Sequence, residues 1–274
     1  MNDVTLAFIG GGNMARALIG GLLARGWSTD CMTVADTDAN QREEICRIFP
    51  GVAVVADGAL AVRDRDTWVL AVKPQQLEEV ALSLSSACRG ARPLVISVAA
   101  GIRAGTIRAW LGGTVPVVRS MPNRPALVGA GVTGLYGAAD VTPVERERAE
   151  RVLQSVGATV WVEDESLIDV VTAVSGSGPA YVFLMIELLE AAGVGEGLDR
   201  VTARRLAVET AYGASLMARN LPDPPATLRE QVTSKGGTTE AALAVLRDAD
   251  LAAIYARAVH AARVRAAELA DQFG

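Results

Sequence analysis

The sequence predicts an α/β fold in two parts: a mostly parallel sheet with its helices over residues 1–164, and an all-helical part over residues 165–274. Three observations lead there. Up to about Glu163, short apolar runs alternate with stretches of helical periodicity, the pattern of βαβ units. Beyond Glu163 no β-branched run bounded by turns recurs, and helical periodicity takes over. The length, 274 residues, exceeds a usual domain of roughly 100–200, so two domains are expected.

The elements follow in order. Residues 4–9 are an apolar run closed by glycines, and residues 15–25 repeat Ala15, Leu18, Ile19, Leu22 and Leu23 at helical spacing before Gly26. Residues 33–35 predict a second strand, 42–49 a second helix and 52–55 a third strand. The apolar run 68–72 is stopped by Lys73-Pro74, and Pro74 suits the first turn of a helix through Val80 and Leu84. Residues 94–98 and 115–118 are further strands. In the second part, Asp164 or Ser166 is placed to cap a helix from Leu167, and residues 199–219 form a long helix ahead of the break Leu221-Pro222-Asp223-Pro224-Pro225. Leu243, Leu246, Leu251, Ile254, Tyr255 and Ala258 stripe the last helices.

Composition excludes several classes. Half the residues are apolar and 21% are charged, which provides a core and excludes disorder. A net charge of −5 with scattered Lys and Arg argues against nucleic acid as a partner. Cys31, Cys46 and Cys88 are odd in number, widely spaced and without a CxxC, so neither a disulfide framework nor a metal site is expected. The first residues carry no basic segment or cleavage site, and a reduced, cytoplasmic protein is expected. Residues 170–192 raise the question of a membrane span, which needs about 20 apolar residues. Ser175-Gly176-Ser177-Gly178-Pro179 breaks that run and Glu187 and Glu190 charge it, so it is read as a buried or subunit-interface helix and no membrane partner is expected.

Gly10-Gly11-Gly12-Asn13-Met14-Ala15 matches GxGxxA between a predicted strand and helix, the fingerprint of a Rossmann-like dinucleotide-binding domain. Gly10 permits the tight turn, Gly12 lets the backbone approach a pyrophosphate, and Ala15 lets helix and strand pack closely. The helix N-terminus presents free N–H groups to phosphate. Asp36 closes the second strand, 21 positions after Ala15, where such folds place the carboxylate that binds the ribose hydroxyls. It would repel a 2′-phosphate, so the cofactor is NAD(P)H with a lean to NADH. Asp36-Thr37-Asp38 also reads as a plain turn, and Arg42 is within reach of a phosphate. A second glycine-rich segment, Gly236-Gly237-Thr238-Thr239, precedes a helix and can turn its N–H groups inward as a nest for a small carboxylate. It also reads as a helix start with Thr238 or Thr239 as N-cap.

Six segments, in this order, resemble the pyrroline-5-carboxylate reductase family: Phe8-Ile9-Gly10-Gly11-Gly12-Asn13-Met14, Leu70-Ala71-Val72-Lys73-Pro74-Gln75, Ser97-Val98-Ala99-Ala100-Gly101, Arg119-Ser120-Met121-Pro122-Asn123, Ser175-Gly176-Ser177-Gly178-Pro179-Ala180-Tyr181 and Val232-Thr233-Ser234-Lys235-Gly236-Gly237-Thr238-Thr239. The resemblance implies NAD(P)H-dependent reduction of the C=N bond of 1-pyrroline-5-carboxylate to L-proline, the last step of proline biosynthesis. It implies cofactor contacts from Gly10 to Ala15 and from Asp36, Ala71, Val72, Lys73, Pro74, Ala99, Ala100 and Met121, with the Lys73 ammonium facing phosphate or solvent. On the substrate side it implies Ser234, Gly236, Gly237, Thr238 and Asn123, with the Thr239 hydroxyl directed at the ring nitrogen as the catalytic group. The only histidine, His260, lies far from every motif and is expected to be structural or solvent-facing. Apolar helices such as residues 181–186 call for burial on all sides. An intertwined homodimer satisfies that, and the family further implies a ring of dimers.

The chain departs from the family at Arg124 and Lys235, which stand where Thr and Pro are usual, and at Asp57, where Asn is common. Competing readings are a reductase of another cyclic imino acid, a non-catalytic NAD(H)-binding protein on the same fold, and a β-hydroxyacid dehydrogenase. The last needs a catalytic Lys in a segment like residues 175–181, which holds none.

Overall fold

The computed structural model describes residues 4–273. The chain forms two compact units, residues 1–177 with 262–274, and residues 178–261. The sequence reading put its division at 164/165, ahead of the short helical stretch that the first unit keeps.

The first unit is built on one sheet of eight strands among the described residues, in the order β3-β2-β1-β4-β5-β6-β7-β8. These are β1 Leu6–Ile9, β2 Met32–Ala35, β3 Ala53–Val55, β4 Thr67–Leu70, β5 Leu94–Ser97, β6 Val117–Met121, β7 Gly131–Gly137 and β8 Gly157–Trp161. β3 to β6 pair in parallel, β7 lies antiparallel to β6, and β8 runs parallel to β7. Every residue of β1 is buried. Leu6 and Phe8 enter the core on one face of the sheet and Ala7 and Ile9 the core on the other, because successive strand side chains point to opposite faces. Burying both faces requires helices on both sides, and the continuous apolar strands dictate that two-sided arrangement.

Those helices are α1 Asn13–Ala24, α2 Ala39–Ile48, α3 Gly58–Ala61, α4 Pro74–Cys88, α5 Ala104–Trp110 and α6 Pro143–Leu153. Pro74 occupies the first turn of α4 as its fixed φ favours. Cys88, at the far end of α4, is 2% exposed, and burial raises its thiol pKa to about 11, so it acts as a small apolar side chain.

Several elements lie outside what periodicity predicts, α5 among them. β7 is sequence-masked by its glycines, which carry little strand propensity. They are there for space: a Cβ on Gly131 would sit 2.9 Å from Ala126 Cα, and one on Gly134 would collide with the Val171 side chain. β8 and α6 were also not predicted, although α6 opens with a full capping box of Thr142 and Glu145.

A buried cation fastens the end of the first unit. Arg119 on β6 is 2% exposed and its guanidinium lies 3.3 Å from both Glu165 and Asp169. Glu165 also accepts the Ala104 N–H at 2.7 Å, while Asp169 belongs to α7, Leu167–Val171. Residues Thr172–Gly176 continue as a π-helix.

The second unit opens with α8, Gly178–Gly195, followed by α9 Arg200–Asn220, α10 Pro225–Gln231, α11 Thr238–Asp248 and the start of α12, Leu251–Phe273. α9 begins at its Asp199 cap, which accepts the Thr202 N–H at 3.0 Å. Ala203, Ala207 and Ala211 are its buried residues, a four-residue repeat that brings the α8 and α9 backbones close. Gly193 stands opposite Ala203, where a Cβ would lie 3.3 Å from the Ala203 methyl. α8 has no buried residue within the chain, so burial inside its own chain does not account for its apolar faces.

Candidate active site

The order of the sheet reverses between β1 and β4, and the carboxyl ends of strands at such a reversal form the crevice where open α/β sheets take ligands. A cleft of about 840 Å³ opens there. Gly10, Gly12, Asn13, Asp36, Ala71, Val72 and Lys73 line it, so sequence-distant residues from the ends of β1, β2 and β4 meet in one place. Gly10 has φ +99°, and a Cβ on it would lie 2.7 Å from the Ala71 carbonyl oxygen. Its N–H donates to Ala35 O at 2.8 Å, and Ala71 N–H donates to Ile9 O at the same distance. Gly12 is the N-cap of α1, without a side-chain cap, and a Cβ there would meet nothing within 4 Å. Free N–H groups at a helix start beside open space form an anion site, which is what a pyrophosphate needs. Ala15 is fully buried against the sheet.

Gly11 does not line the cleft. Its N–H donates to Asp36 Oδ2 at 2.8 Å, and a Cβ would collide with Ile45. Asp36 Oδ1 accepts the Asp38 N–H at 2.9 Å, so two backbone amides fix this carboxylate. Two nearby arginines are engaged as well. Arg42 donates to the Asp36 and Thr37 carbonyls, each at 2.9 Å. Arg16 donates to Gly11 O at 3.1 Å and Gln41 Oε1 at 2.7 Å and pairs with Glu44 at 3.1 Å. Asp38, Asp57 and Glu79 add acidic groups to the lining. Asp57 Oδ1 caps α3 through the Ala59 N–H at 2.9 Å.

Sequence reasoning missed the far wall. Gln76, Glu79, Val80 and Ser83 of α4 line the cleft with Arg16 and Gln41. The signal was present, since these four positions on α4 recur at one-face helical spacing. Pro74 is not part of the lining, and neither are Ala99, Ala100 and Met121. Ala99 is buried at the end of β5, its N–H on Ser97 Oγ at 3.3 Å, while Ala100 is exposed.

Asn123 is 8% exposed and its amide is spoken for at both ends: Nδ2 donates to Ser175 O at 3.1 Å, and Oδ1 accepts the Val132 N–H at 3.0 Å. It braces the π-helix against the start of β7. Met121 reaches the same segment, where a Cβ on Gly176 would lie 2.7 Å from its Cε.

The other glycine-rich segment lies in the second unit. Gly236 has φ +71°, a left-handed conformation that favours glycine. Gly237 is the N-cap of α11, with no side-chain cap bond, so Thr238 and Thr239 are its first two helical residues and neither is the cap. Gly237 N–H donates to Ser234 O at 3.0 Å, and a Cβ on Gly237 would collide with Ser234 Oγ. Gly236 N–H donates to Glu240 Oε2 at 2.7 Å. Lys235 and Arg124 are exposed, as is His260.

Comparison with known proteins names the group. Residues 5–101 match the family model described as NADP oxidoreductase coenzyme F420-dependent, and residues 165–269 match the model described as Pyrroline-5-carboxylate reductase dimerisation. The chain is 46% identical to the pyrroline-5-carboxylate reductase of Pseudomonas aeruginosa over 274 residues, 100% of both chains. The chain belongs to the pyrroline-5-carboxylate reductase family. A solved pyrroline-5-carboxylate reductase from Coxiella burnetii superposes with a TM-score of 0.94 at 38% identity, covering 98% of this chain and 99% of that one. The Plasmodium falciparum pyrroline carboxylate reductase, solved with NADP bound, superposes with a TM-score of 0.84 at 26% identity over 98% and 99%. As a pyrroline-5-carboxylate reductase family member the chain has an α/β dinucleotide domain and a helical dimerisation domain, and the dimerisation match supports self-association. Membership also sets aside the β-hydroxyacid dehydrogenase reading.

Proposed function

We propose that this chain is an NAD(P)H-dependent reductase of the C=N bond of 1-pyrroline-5-carboxylate, forming L-proline in the last step of proline biosynthesis. Full-length membership of the family carries the reading. The reduced nicotinamide, when bound, supplies the hydride. Gly10, Gly12, Asn13, Ala71, Val72 and Lys73 hold the dinucleotide along the cleft, Asp36 its ribose, and Ala99, Ala100 and Met121 the wall beyond. The fit rests on the uncapped start of α1 and the open space over Gly12.

The substrate is a small anion with one reactive bond, so its demands are modest. Backbone N–H groups of Gly236 and Thr238, with the Ser234 hydroxyl, bind the carboxylate beside Gly237, whose own N–H stays on the Ser234 carbonyl, and the Thr239 hydroxyl hydrogen-bonds the ring nitrogen. An imine nitrogen is basic, so reduction needs mainly orientation and a donor at nitrogen. A hydroxyl supplies that donor, and no histidine is required. Residues 1–164 are the cofactor domain and 165–274 the substrate and dimerisation domain in this proposal. The working unit is a cytoplasmic homodimer, with dimers joined into a ring.

The test is loss of NADH or NADPH absorbance on adding pyrroline-5-carboxylate. Thr239→Ala is expected to lower kcat about 100-fold with cofactor binding unchanged, and His260→Ala to leave kcat near that of the parent. Cofactor binding without turnover in the parent protein would favour another imine or a non-catalytic role. Full activity of Thr239→Ala would remove the hydroxyl from the mechanism.

A further inference from the structure

The nest proposed for the substrate carboxylate already holds a carboxylate. Gly236 N–H points at Glu240 Oε2, 2.7 Å away, and Gly236 is the left-handed residue that turns this amide inward. Glu240 lies in the first turn of α11, where the positive end of the helix and its unpaired N–H groups attract any anion. An ordinary capping box sends such a glutamate back to the N-cap residue. The N-cap here is Gly237, and its N–H is taken by the Ser234 carbonyl at 3.0 Å. Glu240 reaches one residue further, onto an amide that the proposed function assigns to the substrate.

We infer that Glu240 is a specificity-setting residue whose carboxylate occupies the anion nest of the substrate-free enzyme, so that the imino acid binds by exchanging its own carboxylate for that side chain. The inference rests on the proposed site at residues 234–239. Exchange has a selective consequence. A neutral cyclic imine cannot displace the glutamate, whereas an anionic one replaces like with like and retains the hydrogen bond to Gly236. Glu240 therefore weakens substrate binding overall while widening the margin between acidic and neutral ring compounds. Its partial exposure keeps the effect small, of the size of a surface charge pair.

The experiment compares the parent enzyme with Glu240→Gln and Glu240→Ala. Exchange predicts that KM for pyrroline-5-carboxylate falls about threefold to fivefold in Glu240→Ala, with a smaller fall in Glu240→Gln. The KM for the reduced cofactor stays constant. A purely structural cap predicts the opposite: an unchanged KM in Glu240→Gln, which keeps an acceptor oxygen, and a raised KM in Glu240→Ala. That pattern, or no change in either variant, overturns the inference. Calorimetric titration with proline separates it from the reaction itself. Tighter proline binding by Glu240→Ala in a protein that does not turn over pyrroline-5-carboxylate would keep the exchange and sink the reaction. Normal turnover with equal proline affinity in all three proteins would sink the exchange alone.

Discussion

At the scale of single residues, the proposed cofactor preference turns on Asp36. Its side chain is fixed by the Gly11 and Asp38 amides, so it cannot swing aside to admit a 2′-phosphate without giving up both bonds. Arg42 and Arg16 are held by carbonyls, Gln41 and Glu44, which leaves the phosphate no uncommitted cation among these neighbours. We therefore expect NADH to be preferred. Asp36→Ser should move the ratio of kcat/KM toward NADPH by about tenfold, ~1.4 kcal/mol, measured by initial rates with each cofactor. A parent enzyme that strongly prefers NADPH would overturn the lean; the Plasmodium falciparum relative was solved with NADP bound. Gly10, Gly12 and Asp36 stand together in the cleft wall, and each answers a local demand of turn, approach or charge that is written in the sequence. The engagement of Asn123 was not legible there. Its partners, Val132 and Ser175, are distant in sequence, and no local pattern announces such a brace.

At the scale of elements, strands β1, β2, β4, β5 and β6 were legible because both-face burial writes continuous apolar runs, and the edge strand β3, more exposed, through its short apolar run. β7 was hidden because close packing against Ala126 and Val171 requires glycine, which erases the strand signal. Helix α6 is a different case, since its capping box is written in the sequence. Burial of Glu145 by itself raises its pKa, but the Thr142 N–H and hydroxyl and the Arg92 guanidinium more than offset that, and the net value is lowered. The pair with Arg92 is 2.7 Å long and the Thr142 N–H lies 2.8 Å from the carboxylate. A carboxylate held below its ordinary value stabilises the fold at pH above that value, 4.5 for an unperturbed glutamate, and its contribution disappears as pH falls through the lowered folded value. Glu145→Ala is thus expected to cost about 1 kcal/mol at pH 7, and the gap to the parent should close on acidification to below the folded value. Urea denaturation at matched protein concentration measures this, and a gap independent of pH would contradict the role given to the ionised carboxylate.

At the scale of the whole molecule, α8 poses the physical problem. By length and composition, residues Leu167–Gly195 form the one helical run among those described that is apolar enough to cross a bilayer, with mean hydropathy 1.4. Phe183 is 63% exposed and Leu188 60% exposed in the single chain. Leaving such side chains in water forgoes about 1.5–3 kcal/mol apiece, and a patch of this kind marks an interface. The sequence conveyed that these residues need cover, because residues 181–186 of α8 are apolar on every face. It did not say how much cover its own chain provides, since that depends on α9 offering only the small Ala203, Ala207 and Ala211. Glu187 and Glu190 would be costly in hydrocarbon, whereas a protein surface can leave them at a wet rim. We expect Phe183→Asp with Leu188→Asp to lower the mass seen by sedimentation from an oligomer to a monomer. The parent protein should remain in the supernatant when mixed with lipid vesicles. An unchanged mass in the double variant would show that another surface carries the association, and parent protein pelleting with the vesicles would assign α8 to the bilayer instead.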